Sequence, residues 1–333
     1  DDSRASLPRF VVRALRDFLK CGLLAHGFCR VHCDACGKDA LVAFSCKRRG
    51  FCPSCGSRRM ADTAAWLVDR VFPDVPVRQW VLSLPYHIRF LCAFDPAAAR
   101  GVRKILVRAV SSFYVRNARQ RGVEKTKAAA VVLEQRFDQS LRLNLHYHAL
   151  WVDGSFTCSL AKARAEFYEL TELTEADVER LVRAIRNRVL RFLRKIGKLT
   201  DECGVDQDSL DGSPHQTLGA AAVQGRIAFG PKAGAYVPRV GQGSQEPREF
   251  RRGPLCAAID GFSLHAAVRI PAGATERLEK LCRYAARPPV VNERLSLTDD
   301  GKVLYRFKTA FRDGSSHVRL DPLTFIERLA ALV

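Results

Sequence analysis

The chain has 333 residues, is 47% hydrophobic, and carries 54 Lys and Arg against 35 Asp and Glu, a net charge of +19. The apolar content excludes wholesale disorder, and the length allows two or three domains. The positive excess points to a polyanionic partner, nucleic acid before an anionic membrane, since no uninterrupted apolar run reaches spanning length.

The first ten residues hold two Asp and two Arg rather than the apolar segment of a signal peptide, and no Met leads them. A trimmed chain or a fragment is expected. A helix is predicted over residues 7–26 from Phe10, Leu15, Phe18 and Leu19. A cysteine module follows. Of twelve cysteines, seven (21, 29, 33, 36, 46, 52, 55) lie in the first 55 residues, which favours metal binding in a reducing cytoplasm over disulfides.

Within it, Cys33-x2-Cys36 and Cys52-x2-Cys55, separated by fifteen residues, have the spacing of a zinc ribbon. Two residues between cysteines let a tight knuckle aim both sulfurs at one ion. Cys46 is a fifth candidate ligand, while Cys21 and Cys29 read as core or surface thiols. Lys47, Arg48 and Arg49, with Arg58 and Arg59 beyond, offer a basic face for DNA.

Next come a helix over Arg59–Val71, a strand over Gln79–Ser83, a helix over Arg103–Arg121, and strands over Ala128–Phe137 and Leu141–Val152. The last strand carries His146 and His148. At this spacing both imidazoles lie on one face, about 6.6 to 6.8 Å apart along the strand, where they can hold a divalent ion with positions left open. Glu134 or Gln135, on the neighbouring strand, can supply an oxygen as third ligand, which favours Mg²⁺ or Mn²⁺.

Thr174 is predicted to cap a helix whose later turns bear Arg180, Arg183, Arg186, Arg188, Arg191, Arg194, Lys195 and Lys198, read as phosphate-contacting. Residues 201–255, rich in Gly, Ser, Gln and Pro, read as a flexible insertion. Strands are expected within Leu255–Ile270, then a helix from Thr275 that stops before Pro288. That helix carries Tyr284 among Lys280, Arg283 and Arg287. A tyrosine there can attack a phosphodiester and conserve its energy in a covalent link, although from these residues alone a packing role suits Tyr284 better. A hairpin over Lys302–Leu320, turning at Asp313-Gly314, and a helix from Pro322 complete the chain.

The runs CDACGKDALVAFSCKRRGFCPSCGSRRM, LEQRF, HYH, AIDGFSLHAAVRIPA and LCRYAARP together resemble the rolling-circle transposases of the insertion-sequence ninety-one type, including those of insertion-sequence common regions. The resemblance spans nearly the whole chain. It implies an α+β protein: an N-terminal zinc-ribbon domain (1–75), then a catalytic domain (76–333) with a central antiparallel sheet flanked by helices. It further implies HUH endonuclease chemistry on single-stranded DNA at transposon ends, with His146 and His148 as the metal pair and Tyr284 as nucleophile. Gln135 then falls at a position kept beside the site; Arg283 and Arg287 are read as phosphate contacts from their place around Tyr284 on the helix, not from the resemblance. The expected cofactors are structural Zn²⁺ and catalytic Mg²⁺ or Mn²⁺, in a cytoplasmic, nucleoid-associated bacterial protein. Two departures stand out. Pro288 occupies the place of a second tyrosine, implying a single-tyrosine enzyme, and members usually continue past Val333. The competing readings are a zinc-ribbon protein that only binds DNA and, last, a phosphohydrolase using activated water.

Overall fold

A computed structural model describes residues 7–47, 50–157, 165–199, 213–241, 253–311 and 313–333. Arg48 and Arg49 of the basic loop lie outside the described residues, as do 201–212 and 242–252 of the expected insertion.

Helix α1 (Arg9–Lys20) is shorter than the predicted 7–26, because Cys21 turns to extended backbone and Gly22 takes φ 78°. An antiparallel hairpin of β1 (Phe28–His32) and β2 (Asp39–Ala43) follows. Helix α2 (Pro53–Trp66) starts earlier than the predicted Arg59, since Pro53 suits a first helical position.

Then come β3 (Val77–Ser83), α3 (Tyr86–Phe94), α4 (Pro96–Gln120), β4 (Thr126–Lys127), β5 (Ala130–Phe137), β6 (Leu143–Val152), β7 (Gly154–Thr157) and β8 (Phe167–Glu169). Helix α3 was not legible beforehand: it is nine residues long and its centre is buried on most sides, so it shows no clean stripe. Helix α5 (Glu175–Lys195) begins in a capping box between Thr174 and Asp177, as the acids after Thr174 suggested.

Helix α6 (Pro214–Gln224) corrects the reading of 201–255 as a flexible insertion. Ser213 caps it, Pro214 opens it, Gly225 closes it in the left-handed region, and Leu218, Ala222 and Val223 are buried. After β9 (Arg239–Val240), the segment expected to be strand-like folds as β10 (Cys256–Ile259), β11 (Phe262–His265) and β12 (Arg269–Ile270). The chain ends with α7 (Thr275–Ala286), β13 (Leu295–Leu297), β14 (Val303–Arg306), β15 (His317–Leu320) and α8 (Pro322–Ala331).

The main sheet is antiparallel, in the order β10-β11-β3-β6-β5, with β12 paired to the start of β3. Its faces differ. Trp80, Leu82, Tyr147, Ala149 and Trp151 pack under α4 and α5. Val77 and Leu150, on the other face, pack with Leu67 near the end of α2 and with Leu281 and Cys282 of α7. Strand alternation therefore sends Tyr147 to one layer, where its hydroxyl donates to the Ala99 carbonyl at 2.9 Å, and His146 and His148 to the other. The basic helix α5 lies on the layer away from the histidines, and among its cations Arg186 pairs with Asp260 at 2.6 Å. Just past β6, buried Asp153 accepts from two Arg78 nitrogens, from Arg269 and from the Tyr114 hydroxyl, which ties β3, β12 and α4 together.

A second sheet, β13-β14-β15-β9, packs around Phe51, Leu141 and Leu329, and β4-β7-β8 form a third. Helix α1 buries Val11 in a cluster with residues of α6 and α8, so the two ends of the described chain share one core.

Candidate metal centres and nucleophile

Four cysteine sulfurs, those of Cys21, Cys46, Cys52 and Cys55, lie within 4.8 Å of one another. This corrects the expected quartet. Cys33 and Cys36 sit exposed at the tip of the β1–β2 hairpin, where Gly37 closes a turn by donating to the Cys33 carbonyl. Strands of five residues, about 17 Å long, hold that tip away from α2. At the hairpin's other end, Gly22 donates to the Phe44 carbonyl, and this brings Cys21 and Cys46 to the start of α2, where Cys52 caps the helix and Cys55 lies in its first turn.

The converging sulfurs fit zinc. Contacts of 3.4 to 3.6 Å among them approach the edge of about 3.8 Å that a tetrahedron with 2.3 Å Zn–S bonds requires. Burial pushes the Cys55 thiol up, but hydrogen bonds from Cys46, Cys21 and the Lys47 backbone outweigh it and bring it down to about 7, whereas burial holds the neighbouring Cys52 thiol well above its usual range.

The second centre is built on β6. The Nε2 atoms of His146 and His148 approach to 3.0 Å. Two nitrogens bound at right angles to one ion, at about 2.1 Å each, stand about 3.0 Å apart, so the pair fits neighbouring positions of an octahedral site. Nδ1 of His146 donates to the Asn144 carbonyl at 2.7 Å, which puts its lone pair on Nε2, the nitrogen that a metal would take. Nδ1 of His148 lies 2.8 Å from the Gln79 side-chain amide. Burial holds both imidazoles below their usual range, His148 down to about 3 with help from His146 and Arg287, so both are neutral at physiological pH.

Gln135 stands opposite His146 in the β5–β6 register, and its Nε2 donates to the carbonyls of Tyr284 and Ala285. Its Oε1 is buried and has no hydrogen-bond partner, the condition of a ligand atom awaiting a cation. Glu134, the rival third ligand, pairs with Tyr147 and so faces the α4 layer, where it forms an ion pair with Arg103 at 3.0 Å. It is turned away from the histidines.

The Tyr284 ring stands edge-on to that of His148, centroids 5.4 Å apart. Arg287 and Lys308 each place their charge 4.7 Å from its centroid. Arg283 is instead paired with Glu279, one turn back on α7. The zinc module closes against this helix: Gly56 packs on Pro288 so tightly that a Cβ there would lie 2.5 Å from the proline ring. Between them opens a cleft of about 460 Å³ lined by Arg59, Gln135, Arg136 and Arg287. Arg59 also donates to the Lys47 carbonyl, while Arg58 lies exposed beside it.

Sequence reasoning passed over Gln79, Lys308 and Cys21. Gln79 is a polar residue at an inward position of an apolar strand, and Cys21-Gly22 repeats the Cys-Gly pairs at 36–37 and 55–56. Nothing local marks Lys308, which reaches Tyr284 only through the tertiary fold.

Residues 2–84 match the family model of the Transposase zinc-binding domain, and residues 129–333 match that described as Putative transposase. No curated protein and no solved structure matches the chain. Among the described residues, no helix is long and apolar enough to cross a membrane.

Proposed function

The chain belongs to the transposases of the insertion-sequence ninety-one type, DNA-processing proteins with an N-terminal zinc-binding domain, and from that membership we propose that it cuts and rejoins single-stranded DNA through Tyr284. The observation that carries this reading is the edge-on contact of Tyr284 with His148 beside the paired imidazoles.

His146, His148 and the Oε1 of Gln135 would hold Mg²⁺ or Mn²⁺, which supplies Lewis-acid polarisation of a phosphoryl oxygen. The chain's own residues do the rest. Oη of Tyr284 attacks the scissile phosphorus, the bond from phosphorus to the 3′ oxygen breaks, and that oxygen leaves as a 3′-OH while the phenolic proton is released. The strand's 5′ phosphate is then esterified to Tyr284. Attack by another 3′-OH reverses the step, restores the phenol and joins the strands. Arg287 and Lys308, both over the Tyr284 ring, set positive charge where the phosphate must sit. With Pro288 beneath Gly56, one tyrosine serves both steps. The four-cysteine centre is structural: closed, and joined to the nucleophile's helix through α2.

The test is incubation of the full chain with a single-stranded oligonucleotide bearing the element's end, with Mn²⁺. A covalent adduct surviving denaturation is expected, and Tyr284→Phe abolishes it while binding persists. Absence of any adduct with the unmodified chain overturns the reading.

A further inference from the structure

A different part of the molecule carries the marks of a base-binding surface. Residues 226–237 form a tight turn, bridged at Arg226 and Tyr236 and pinned by Ile227 donating to Ala235 and Val237 to Gly225. Tyr236 is 67% exposed. An exposed tyrosine usually moves freely, but this one is held: the Arg226 guanidinium lies 4.3 Å from the ring centroid and donates to the tyrosine hydroxyl at 3.1 Å. The same guanidinium donates to the Gly234 carbonyl at 2.6 Å, so the arginine is fixed as well. Tyr86, also exposed, takes a hydrogen bond from Gln224 within electrostatic reach of Arg226 and Tyr236.

Tyr236, with the Tyr86 partner Gln224, borders a cleft of about 510 Å³ whose lining includes Arg142, Arg239 and Arg328 and, among the described residues, no acid. Arg142 and Arg239 each meet an acid outside the lining, Asp138 and Asp313, and the buried Arg328 is held by the carbonyls of Ala221 and Arg226. The cleft lies at the start of β6, the strand that carries the histidines. Gly225 lies against the Arg142 side chain, Arg142 stands four residues before His146 or about 13 Å along the strand, and Asp138 and Arg89 both act electrostatically on His146. Tyr86 follows closely on Ser83, which is paired with His146 across the sheet.

We propose that Tyr236, stiffened by Arg226 and flanked by Tyr86, is a stacking platform for unpaired bases of the DNA strand that enters the cutting site. The inference rests on the single-strand reading of the function and adds where that strand lies. Rigid, exposed rings beside arginines suit single-stranded DNA, because every unpaired base offers a π-face and the duplex offers none along its length. A duplex and a protein ligand are the alternatives that the test separates.

The experiment uses the full chain carrying Tyr284→Phe, so that binding is read without cleavage. Fluorescence anisotropy is measured with a labelled single-stranded 20-mer and with its duplex. Tyr236→Ala is expected to weaken single-strand binding about tenfold and leave duplex binding unchanged, whereas Tyr236→Phe stays within about twofold of the parent. The slope of affinity against salt is unchanged in Tyr236→Ala, since no charge is removed, and falls by about 0.7 in Arg239→Gln. Unchanged single-strand affinity in Tyr236→Ala, or an equal loss on duplex, overturns the platform. A loss that Tyr236→Phe does not restore overturns it too. The covalent-adduct assay with Tyr284 intact is run in parallel: adduct formation with normal binding by Tyr236→Ala sinks the platform alone, and the expected binding pattern without any adduct sinks only the cutting reading.

Discussion

The side-chain amide of Gln135 donates to the backbone carbonyl of Tyr284 at 3.0 Å, so the strand next to the histidines holds the helix that carries the tyrosine. One residue thereby links the proposed ion to the proposed nucleophile. Its Oε1 is buried without a hydrogen-bond partner and its Nε2 fixes the last turn of α7.

Gln135→Ala removes both functions. The two carbonyls lose a buried donor, which costs about 1–3 kcal/mol of stability, and Mn²⁺ binding weakens. Gln135→Glu keeps a ligand oxygen but turns an acceptor toward the two carbonyls, so it retains Mn²⁺ binding while losing similar stability. Urea midpoints and Mn²⁺ titration by electron paramagnetic resonance separate the two; equal Mn²⁺ affinity in Gln135→Ala and the parent contradicts this role.

Burial that holds His148 near 3 gives the apoprotein a pH-dependent stability. Between pH 6.5 and 3 the unfolded imidazole takes up a proton that the folded one refuses, so stability is intact above 6.5 and falls as pH drops. The slope approaches about 1.4 kcal/mol per pH unit from this residue. Denaturation at pH 7, 6 and 5 should show the fall in the parent and a shallower one in His148→Gln. An identical slope in both chains counts against a buried neutral His148.

Gln79 governs which nitrogen of His148 carries the proton. His146 keeps its own proton at Nδ1 and accepts at Nε2, so at 3.0 Å His148 donates from Nε2 while the Gln79 amide donates to its Nδ1. Binding an ion at Nε2 requires the other tautomer, with the Gln79 amide turned so that its oxygen accepts from Nδ1–H. Gln79→Glu, which only accepts, should therefore hold Mn²⁺ as well as the parent or better, and Gln79→Ala about 10–100-fold more weakly. Nitrogen NMR of the His148 ring reads the tautomer directly. A tautomer in Gln79→Glu unchanged from the metal-free parent rules the account out.

The four-cysteine centre predicts unequal effects among its neighbours. Cys21→Ser should lower bound zinc and loosen α2 from the chain, whereas Cys33→Ser leaves the zinc held by Cys52 and Cys55 in place. Zinc content of the purified variants, together with thermal melting, checks this; loss of that zinc in Cys33→Ser with retention in Cys21→Ser would restore the ribbon pairing.

The residues that sequence placed well are those whose position depends on local period. His146 and His148 share a face because a strand alternates, and Gln135 joins them because β5 and β6 form a hairpin with short-range register. The capping box at Thr174 and the stop before Pro288 are likewise local. What was not legible depends on long-range geometry. Cys21 joins Cys52 and Cys55 because a hairpin folds out between them and carries Cys33 and Cys36 away, although the spacing of those two mimics a ribbon. Glu134 and Gln135 are equal candidates in the sequence and are separated only by which face of the sheet each meets. In α6 the cap signals at Ser213, Pro214 and Gly225 were present but were outweighed by the polar, glycine-rich stretches around them.

The central claim is that Tyr284 is the atom source for the covalent link to DNA. The most direct measurement is mass spectrometry of peptides from the denatured adduct, after nuclease trimming to a single 5′ nucleotide. The account predicts a nucleotide mass on the α7 peptide, localised by fragmentation to Tyr284. The same mass on any other tyrosine, or on a serine or histidine with the Tyr284 peptide unmodified, would contradict it.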